Sequence, residues 1–267
     1  MSGKIIFISA IALAMSIGVG PSRAQSMLDM VDLSQPAFTK AEMTRAEIEA
    51  AIAKLPEGEK LDLFGKALNN LDLSGMDLRR VNFQAARLMG SNLSKANLEG
   101  VNLDSAWSLN SNWTGANLRS ASLFGTQFVG AKLDGADMTG AHVAGDFSKA
   151  SMKGAILDGA DLSANEKNQS MGLMRGTFKS TVLDGASFKG ANMRRVLIEY
   201  SSLNGADFTG ASLTGGELGG SDFTGANVAG ADFEGADVNS ARIGAMKNAD
   251  KAKNLDKVKN LDRAFRN

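Results

Sequence analysis

The sequence contains no cysteine, and this absence excludes a disulfide framework and any thiolate metal site. A single histidine, His142, leaves no material for a histidine-rich metal cluster. Aromatic residues make up 6% of the 267 residues, so the core has to be built from small and aliphatic side chains. Lys+Arg and Asp+Glu both total 29, and this balance excludes an ordinary, strongly basic nucleic-acid-binding protein.

Proline is scarce as well, and its three copies, Pro21, Pro36 and Pro56, all precede residue 57. The long proline-free remainder suits an uninterrupted hydrogen-bonded ladder, because proline has no amide hydrogen to donate. Before it, Thr44 and Glu47 form a capping box. They predict an N-terminal capping helix that ends at Pro56, within a linker-and-cap region over residues 25–62.

The N-terminus is predicted to be a secretory signal peptide over residues 1–24. Lys4, the apolar run 5–20 and the small residues Ser22 and Ala24 are typical of such a signal, with cleavage after Ala24. An uncleaved membrane anchor is the alternative, but the apolar run is short for a span. Cleavage leaves 27 basic and 29 acidic groups, a formal charge of −2. The predicted location is therefore the bacterial periplasm or the exterior of the cell.

The dominant periodicity from Leu73 onward is five residues. A large apolar residue recurs at every fifth position, a small residue stands two positions earlier, and Asn or Asp commonly lies between them. A helix does not fit, because five residues rotate by about 500°, and in a strand an odd step sends each apolar side chain to the opposite face. A chain that turns a corner every five residues does fit. Four edges close a twenty-residue coil, glycines serve the corners, and coils stack about 4.8 Å apart.

This pattern resembles the motif of the pentapeptide-repeat family, Ala-(Asp/Asn)-Leu-x-x, over about residues 71–246. The resemblance implies a right-handed quadrilateral β-helix; the handedness comes from the resemblance alone. We therefore predict an all-β solenoid over residues 63–246, with short N-terminal and C-terminal α-helices. Clear copies of the motif are Ala96-Asn97-Leu98, Ala116-Asn117-Leu118, Ala136-Asp137-Met138, Ala160-Asp161-Leu162, Ala206-Asp207-Phe208 and Ala231-Asp232-Phe233.

Two places break the five-residue pattern. Ser108 stands where a large apolar residue is expected, and the packing interpretation is that Trp113, one repeat later, fills the space that Ser108 leaves. Trp107 beside it points outward and is either a ligand platform or a plain surface residue. The second break, residues 163–171, is predicted to be a polar surface loop that either makes contacts or is a tolerated insertion. His142 takes an outward position and is interpreted as a tolerated surface residue.

No Lys or Arg occurs between Val196 and Ala241, although seven acidic residues do. A twenty-residue coil is expected to place Glu217 and Asp237 one directly above the other. The acids form either a solvated polar face or a docking surface for a basic partner or a weakly bound cation. The candidate interaction surface consists of Glu199, Asp207, Glu217, Asp222, Asp232, Glu234, Asp237 and Trp107.

The last segment, residues 247–267, is rich in Lys and Arg and has apolar residues at spacings typical of a helix. We predict a C-terminal capping helix that covers the open β edge, with a dimerising helix, and hence a homodimer, as the alternative. The apolar residues of the stripe are Ala252, Leu255, Val258, Leu261 and Phe265.

The sequence predicts a non-catalytic protein without a cofactor or a bound metal. It offers no cysteine nucleophile, no phosphate-binding glycine loop and no Gly-x-Ser-x-Gly motif. A carboxylate-dependent polysaccharide lyase or hydrolase is the enzyme alternative, because some parallel β-helices have that activity. We favour an exported rod that binds an unidentified protein or envelope partner, without direct nucleic-acid binding and without a membrane span after signal cleavage.

The resemblance implies a further alternative. Some pentapeptide-repeat proteins are dimeric rods that mimic duplex DNA, bind DNA gyrase and protect it from quinolones. The signal peptide argues against this function, since gyrase is cytoplasmic, and so does the near-neutral charge.

The inward assignment of the apolar positions is tested by Leu118→Asp. An unpaired charge inside the coil is expected to unfold or split the rod, because burying it has no compensating partner. Thermal unfolding measures the effect, and a melting temperature within about two degrees of the wild-type value contradicts the assignment.

Overall fold

The computed structural model of the protein describes residues 32–164 and 174–266. The predicted signal peptide 1–24 and most of the predicted loop 163–171 lie outside the described residues. Two compact units divide the chain, and the architecture below is that of the unit Ser34–Asn267. Within the described ranges, no helix has the length and apolar character needed to cross a bilayer.

Parallel pairing between residues twenty positions apart builds the repeat region. Single bridges such as Asn97↔Asn117 and Asn117↔Asp137 continue the ladder from coil to coil. A five-residue step with a twenty-residue register gives four edges per coil, as the sequence predicts. The extended segments with two or more bridges are β1 (Leu61–Asp62), paired with β2 (Val81–Asn82), and β3 (Thr177–Lys179), paired with β4 (Leu197–Glu199).

The residues that form the bridges point outward and lie in four columns, which we call faces 1 to 4. Each face continues through the bridging residues of the preceding and following coils. The members of each face recur at the twenty-residue register, apart from two interruptions within the repeats and the final coil, where Asp232 pairs with Lys253, Asp237 with Lys259 and Arg242 with Phe265. Face 1 passes through Ser122, His142 and Asp161, face 2 through Arg87, Trp107 and Gln127, face 3 through Asn92, Asn112 and Lys132, and face 4 through Asn97, Asn117 and Asp137.

The interior of the coils is filled by the large apolar residues and by the small residue two positions before each. Leu118 and Met138 are fully inaccessible to solvent, and Ala116 is 1% exposed. Phenyl rings of successive coils stack along the axis, with centroids 5.0 Å apart for Phe128 and Phe147. Each such burial stabilises the stack by about 1.5–3 kcal/mol.

Most corners place one residue in the left-handed region of the backbone. Gly135 takes it at φ 64°, and Lys95 takes it at φ 58° in another coil. A residue with a Cβ pays about 1–2 kcal/mol for this conformation, whereas glycine does not. This cost explains why the glycines follow the five-residue repeat.

The pattern first slips at Gly145, where the step from the large residue Val143 to the next one, Phe147, is four residues instead of five. Neighbouring bridges shorten accordingly, so that Gln127 pairs with Asp146. A Cβ on Gly145 would lie 2.7 Å from the carbonyl oxygen of Thr126, closer than any ordinary contact. The short edge therefore brings two backbones together and requires glycine.

The second interruption adds chain between face 1 and face 2. Asp161 pairs with Asn192 and Asp146 with Thr177, each 31 positions apart instead of twenty (192 − 161 and 177 − 146). The amide of Ala164 still donates to Arg194 in the next coil, and the amide of Gly176 donates to Leu162, so the eleven additional residues lie between Ala164 and Gly176. The surface loop predicted at residues 163–171 stays a prediction, because most of it lies outside the described residues.

The N-terminal end of the ladder is covered by a short helix. Helix α1 spans Pro36–Thr39 and helix α2 spans Arg45–Ala53. Thr44 and Glu47 make the predicted capping box of α2, and Ile48 is completely buried against the first coil. The segment before α2 is held by Glu42, whose carboxylate accepts hydrogen bonds from Lys66 Nζ and from the amide of Ala67.

The predicted C-terminal α-helix is wrong. Lys247, Lys253, Lys259 and Phe265 instead form bridges to the preceding coil and lie six residues apart, so the chain adds a final coil with six-residue edges. The sequence Lys-Asn-(Ala/Leu)-Asp-(Lys/Arg)-(Ala/Val) occurs three times over residues 247–264. Its apolar third and sixth positions imitate helical spacing. Three 3-10 turns lie in these edges: Ala249–Lys251, Leu255–Lys257 and Leu261–Arg263.

Without an α-helix in residues 247–266, the predicted homodimer through such a helix loses its structural basis. The boundary after residue 246 separates five-residue edges from six-residue edges, and not a solenoid from a helix.

The four-residue edge is tested by Gly145→Ala. We expect this variant to be destabilised by about 1–3 kcal/mol, because its methyl group overlaps the Thr126 carbonyl. Gly219→Ala is the matched control, since its backbone is ordinary and the nearest atom to a Cβ is 3.3 Å away. Denaturant unfolding of both variants measures the difference, and equal stabilities contradict this account of the slip.

Candidate interaction surface

The acidic residues of the candidate surface are spread over all four faces. Glu217 and Asp237 are adjacent bridge partners on face 2, as the twenty-residue coil predicts. Asp222 lies on face 3, Asp207 on face 4 and Asp232 on face 1. The structure therefore brings only one pair of these residues into register and does not form a single acidic patch.

Basic residues from neighbouring coils pair with three of the seven acids, although no Lys or Arg occurs between Val196 and Ala241. The three ion pairs are Lys179–Glu199 at 3.2 Å, Lys189–Asp207 at 3.5 Å and Arg175–Glu217 at 2.8 Å. The coil register places together side chains that are about twenty positions apart in sequence or, for Arg175 and Glu217, two coils and 42 positions apart. Exposed ion pairs of this kind contribute little stability, about 0–1 kcal/mol each. Glu234 is exposed at a corner two residues after Asp232.

Two of the acids hold the C-terminal coil in place. The side-chain amide of Asn254 donates to Asp232 Oδ1 at 2.8 Å, and that of Asn260 donates to Asp237 Oδ1 at 2.8 Å. Asn248 makes an equivalent bond on face 4. All three asparagines have left-handed backbones, which asparagine tolerates better than most residues. Asp232 and Asp237 thus have a structural role. Partner binding by these two residues stays a prediction.

The electrostatics of both ends favour ionised carboxylates. The Asn254 amide, together with Lys253 and Lys257, lowers the pKa of Asp232 against the effect of partial burial. Hydrogen bonds from Lys66 and Ala67 lower the pKa of Glu42 at the N-terminal end. Because these pKa values are lower in the folded than in the unfolded state, the stabilisation is present above the unfolded values, about 4, and is lost as the pH falls through the folded ones.

Trp107 lies half-buried on face 2 and is in contact with a ring from the chain itself. Phe38 of α1 stacks on it, with centroids 5.6 Å apart and planes 23° apart. The Asn70 side chain donates to the carbonyl of Thr39 at 3.0 Å and thereby fixes the end of α1 near this face. The Trp107 ring, which a ligand platform would use, is therefore in contact with Phe38 of α1.

The buried Trp113 supports the packing interpretation of the first break. Its indole is fully inaccessible, and Nε1 donates to Ser108 Oγ at 2.9 Å and to Ser111 Oγ at 2.7 Å. Ser108 therefore provides both space and a hydrogen-bond acceptor. His142 is exposed on face 1 and stacks on Phe124 with centroids 5.6 Å apart.

A set of aspartates that were not among the predicted site residues connects successive coils. Asp134 Oδ1 accepts hydrogen bonds from Ser151 Oγ at 2.6 Å and from the amide of Lys153 at 2.9 Å. The sequence contains the pattern that identifies these pairs. Ser151 stands at a position usually taken by Asn or Asp, and Asp134 directly follows the large residue Leu133 of the preceding coil. The other pairs are Asp104 with Ser122, Asp158 with Ser187 and Asp184 with Ser202.

The arrangement offers polar faces lined by ordered side chains. In the part of the chain that the structure describes, no group of three or more His, Asp or Glu side chains is placed to hold a metal ion. The chemistry available on the faces is hydrogen bonding and ion pairing by ordered side chains.

The profile of the family described as Pentapeptide repeats (8 copies) matches residues 68–104, 110–140 and 201–239. This chain is a pentapeptide-repeat protein. The two unmatched intervals inside the repeats contain Ser108 in one case, and Gly145 with the insertion in the other. The profile therefore fails where the edges depart from the motif. A comparison of the sequence with curated proteins finds no match.

Solved structures of pentapeptide-repeat proteins resemble this one. A trypsin-treated variant of QnrB1, a plasmid-mediated fluoroquinolone resistance protein, is 18% identical over 72% of this chain and 90% of that chain, with a TM-score of 0.55. HetL, involved in heterocyst differentiation regulation in the cyanobacterium Nostoc sp. strain PCC 7120, is 24% identical over 77% of this chain and 94% of that chain, with a TM-score of 0.39. The family and the likeness to QnrB1 imply a right-handed β-helix.

The anchoring of the C-terminal coil is tested by Asn254→Ala. The variant loses the hydrogen bond to Asp232 and places alanine in a left-handed backbone conformation. These two changes are together expected to cost about 1–3 kcal/mol and to fray the last coil. Amide exchange at Lys253 and Lys259 measures the fraying. Asn110→Ala is the control, since Asn110 is also left-handed (φ 54°) but lies far from this end; equal protection of the last coil in both variants contradicts the anchoring role.

Proposed function

We propose that the protein is an exported, non-catalytic rod, a right-handed quadrilateral β-helix that binds a protein or another envelope component in the periplasm or outside the cell. The observation that carries this proposal is the coverage of both ends of the ladder by the chain itself. Ile48 of α2 closes the first coil, and the six-residue edges after Met246 follow the last. The long side faces are therefore the surfaces that we assign to this partner, whereas the C-terminal tip keeps half-buried apolar side chains such as Leu255.

The side faces differ in how much of the chain lies on them. Face 2 is partly covered, by Phe38 on Trp107 and by the Arg175 guanidinium at Glu217. Faces 3 and 4 instead carry hydrogen-bonded side-chain ladders. On face 4, for example, the Asn117 amide donates to Asn97 Oδ1 at 2.9 Å. Such ladders fix side chains before binding, which lowers the entropy lost on association.

The charges on face 4 favour a partner of mixed charge. Its acids pair with neighbouring bases, Arg79 with Asp77 at 2.6 Å and Arg119 with Asp137 at 3.0 Å. A surface with alternating signs complements an ordinary protein surface better than a polymer of one charge sign.

A second candidate function is that of a DNA mimic that binds DNA gyrase. The likeness to a fluoroquinolone resistance protein favours it. The charge distribution opposes it, because the acids of the last coils lie on four different faces and three of them are ion-paired. A mimic of duplex DNA needs continuous rows of negative charge.

Cell fractionation tests the export that this proposal requires. We expect the native protein outside the cytoplasm, with Gln25 as its first residue by mass spectrometry. Ala24→Asp is expected to block cleavage and to retain the precursor, because signal cleavage needs a small residue there. A cytoplasmic protein that retains residues 1–24, or quinolone protection by the wild-type chain in its native compartment, contradicts the proposal.

A further inference from the structure

We propose that the C-terminal tip of the rod, residues 243–266, docks on an anionic lipid bilayer. The inference deepens the proposed function, because it gives the rod an attachment point in the envelope. It rests on that function only for the compartment in which the bilayer is met.

The tip is less completely closed than the other end of the ladder. Leu255, Val258 and Leu261 are half-buried, whereas Ile48 at the N-terminal end is fully buried. A hollow of about 380 Å³ at this tip is lined by the apolar residues Ile243, Met246, Leu255 and Leu261, together with Asp256 and Arg266. Among the described residues, no further coil or helix follows to cover these side chains.

Exposed cations surround this apolar hollow. The six-residue edges and the chain end carry seven basic and three acidic residues, a net charge of +4 (7 − 3). Lys253 and Lys259 lie beside Asp232 and Asp237 of the preceding coil, which offset part of the charge. Within the described chain, none of the seven basic residues of the tip forms a direct ion pair, although Lys257, like Lys253, acts electrostatically on Asp232.

An anionic bilayer satisfies both features of the tip. Its head groups attract Lys and Arg side chains, and its acyl boundary accepts apolar groups from water. A second copy of the tip would bring a net charge of +4 against the same charge. A nucleic acid would pair with the cations but leave the hollow around Leu255 and Leu261 without an apolar partner. The bilayer is therefore the occupant that the charge and the apolar surface favour together.

Vesicle sedimentation tests the proposal on the chain from Gln25 onward. We expect this chain to bind vesicles of phosphatidylglycerol and phosphatidylcholine in equal parts, to bind less as salt is raised, and to ignore pure phosphatidylcholine. Each basic group near such a surface contributes about fivefold to binding. The triple variant Lys251→Gln, Lys257→Gln, Arg263→Gln is therefore expected to bind about a hundredfold more weakly.

A matched triple variant in the middle of the rod, Lys132→Gln, Lys149→Gln, Lys153→Gln, removes the same charge from exposed side chains. We expect it to bind as the wild type does, with unchanged thermal unfolding in both variants. Absent binding to the anionic vesicles, equal losses in the two variants, or a dimer in light scattering that Leu255→Ser abolishes, overturns the proposal. None of these results bears on export, which fractionation tests separately.

Discussion

The structure depends on one constraint, that each edge of the coil takes five residues so that the backbone meets its partner one coil away. The amide of Asn117 donates to the carbonyl of Ala96 in the preceding coil at 2.9 Å, and the amide of Leu118 donates to Asp137 in the following coil at 2.7 Å. In most edges this step is kept by a small inward residue, such as Ala116, and by a left-handed corner, such as Gly135. In the described residues, no buried side-chain nitrogen or oxygen is left without a hydrogen-bond partner. The polar faces are a consequence of this geometry, because the residue between two inward positions must point outward.

A ladder built this way exposes unpaired backbone at both ends, and the two ends solve the problem differently. At the N-terminus, α2 lays Ile48 on the first coil. At the C-terminus, left-handed asparagines such as Asn254 take the place of the large apolar residue and bond the coil above. The hydrogen-bond acceptors at this C-terminal end include Asp232, which was also predicted to belong to the interaction surface. The side faces are left for binding, and the basic, apolar tip has a different chemistry from them.

Local patterns made much of this fold predictable from the sequence. The five-residue step fixed the core, the register of Glu217 with Asp237 and the packing of Trp113, because each depends on positions along one regular edge. Features that depend on departures from regularity were not predictable. Arg175 lies where the chain rejoins the ladder after the insertion, and its guanidinium reaches across two coils to Glu217. The C-terminal helix was a wrong prediction, since a six-residue edge with two apolar positions has the same three-residue spacing as a helical stripe.

Native-state amide exchange measures the central claim most directly. In a regular edge, four amides donate to backbone carbonyls, whereas the amide after the large residue donates to a side chain. At Arg119 and Thr139 the acceptor is the side chain two positions earlier, and at Lys153 it is Asp134 of the preceding coil. Backbone ladder bonds open only with the stack, so the account predicts fast-exchanging amides that recur every five residues through the repeats. Protection that recurs at the 3.6-residue period of a helix, or that shows no period, would contradict it.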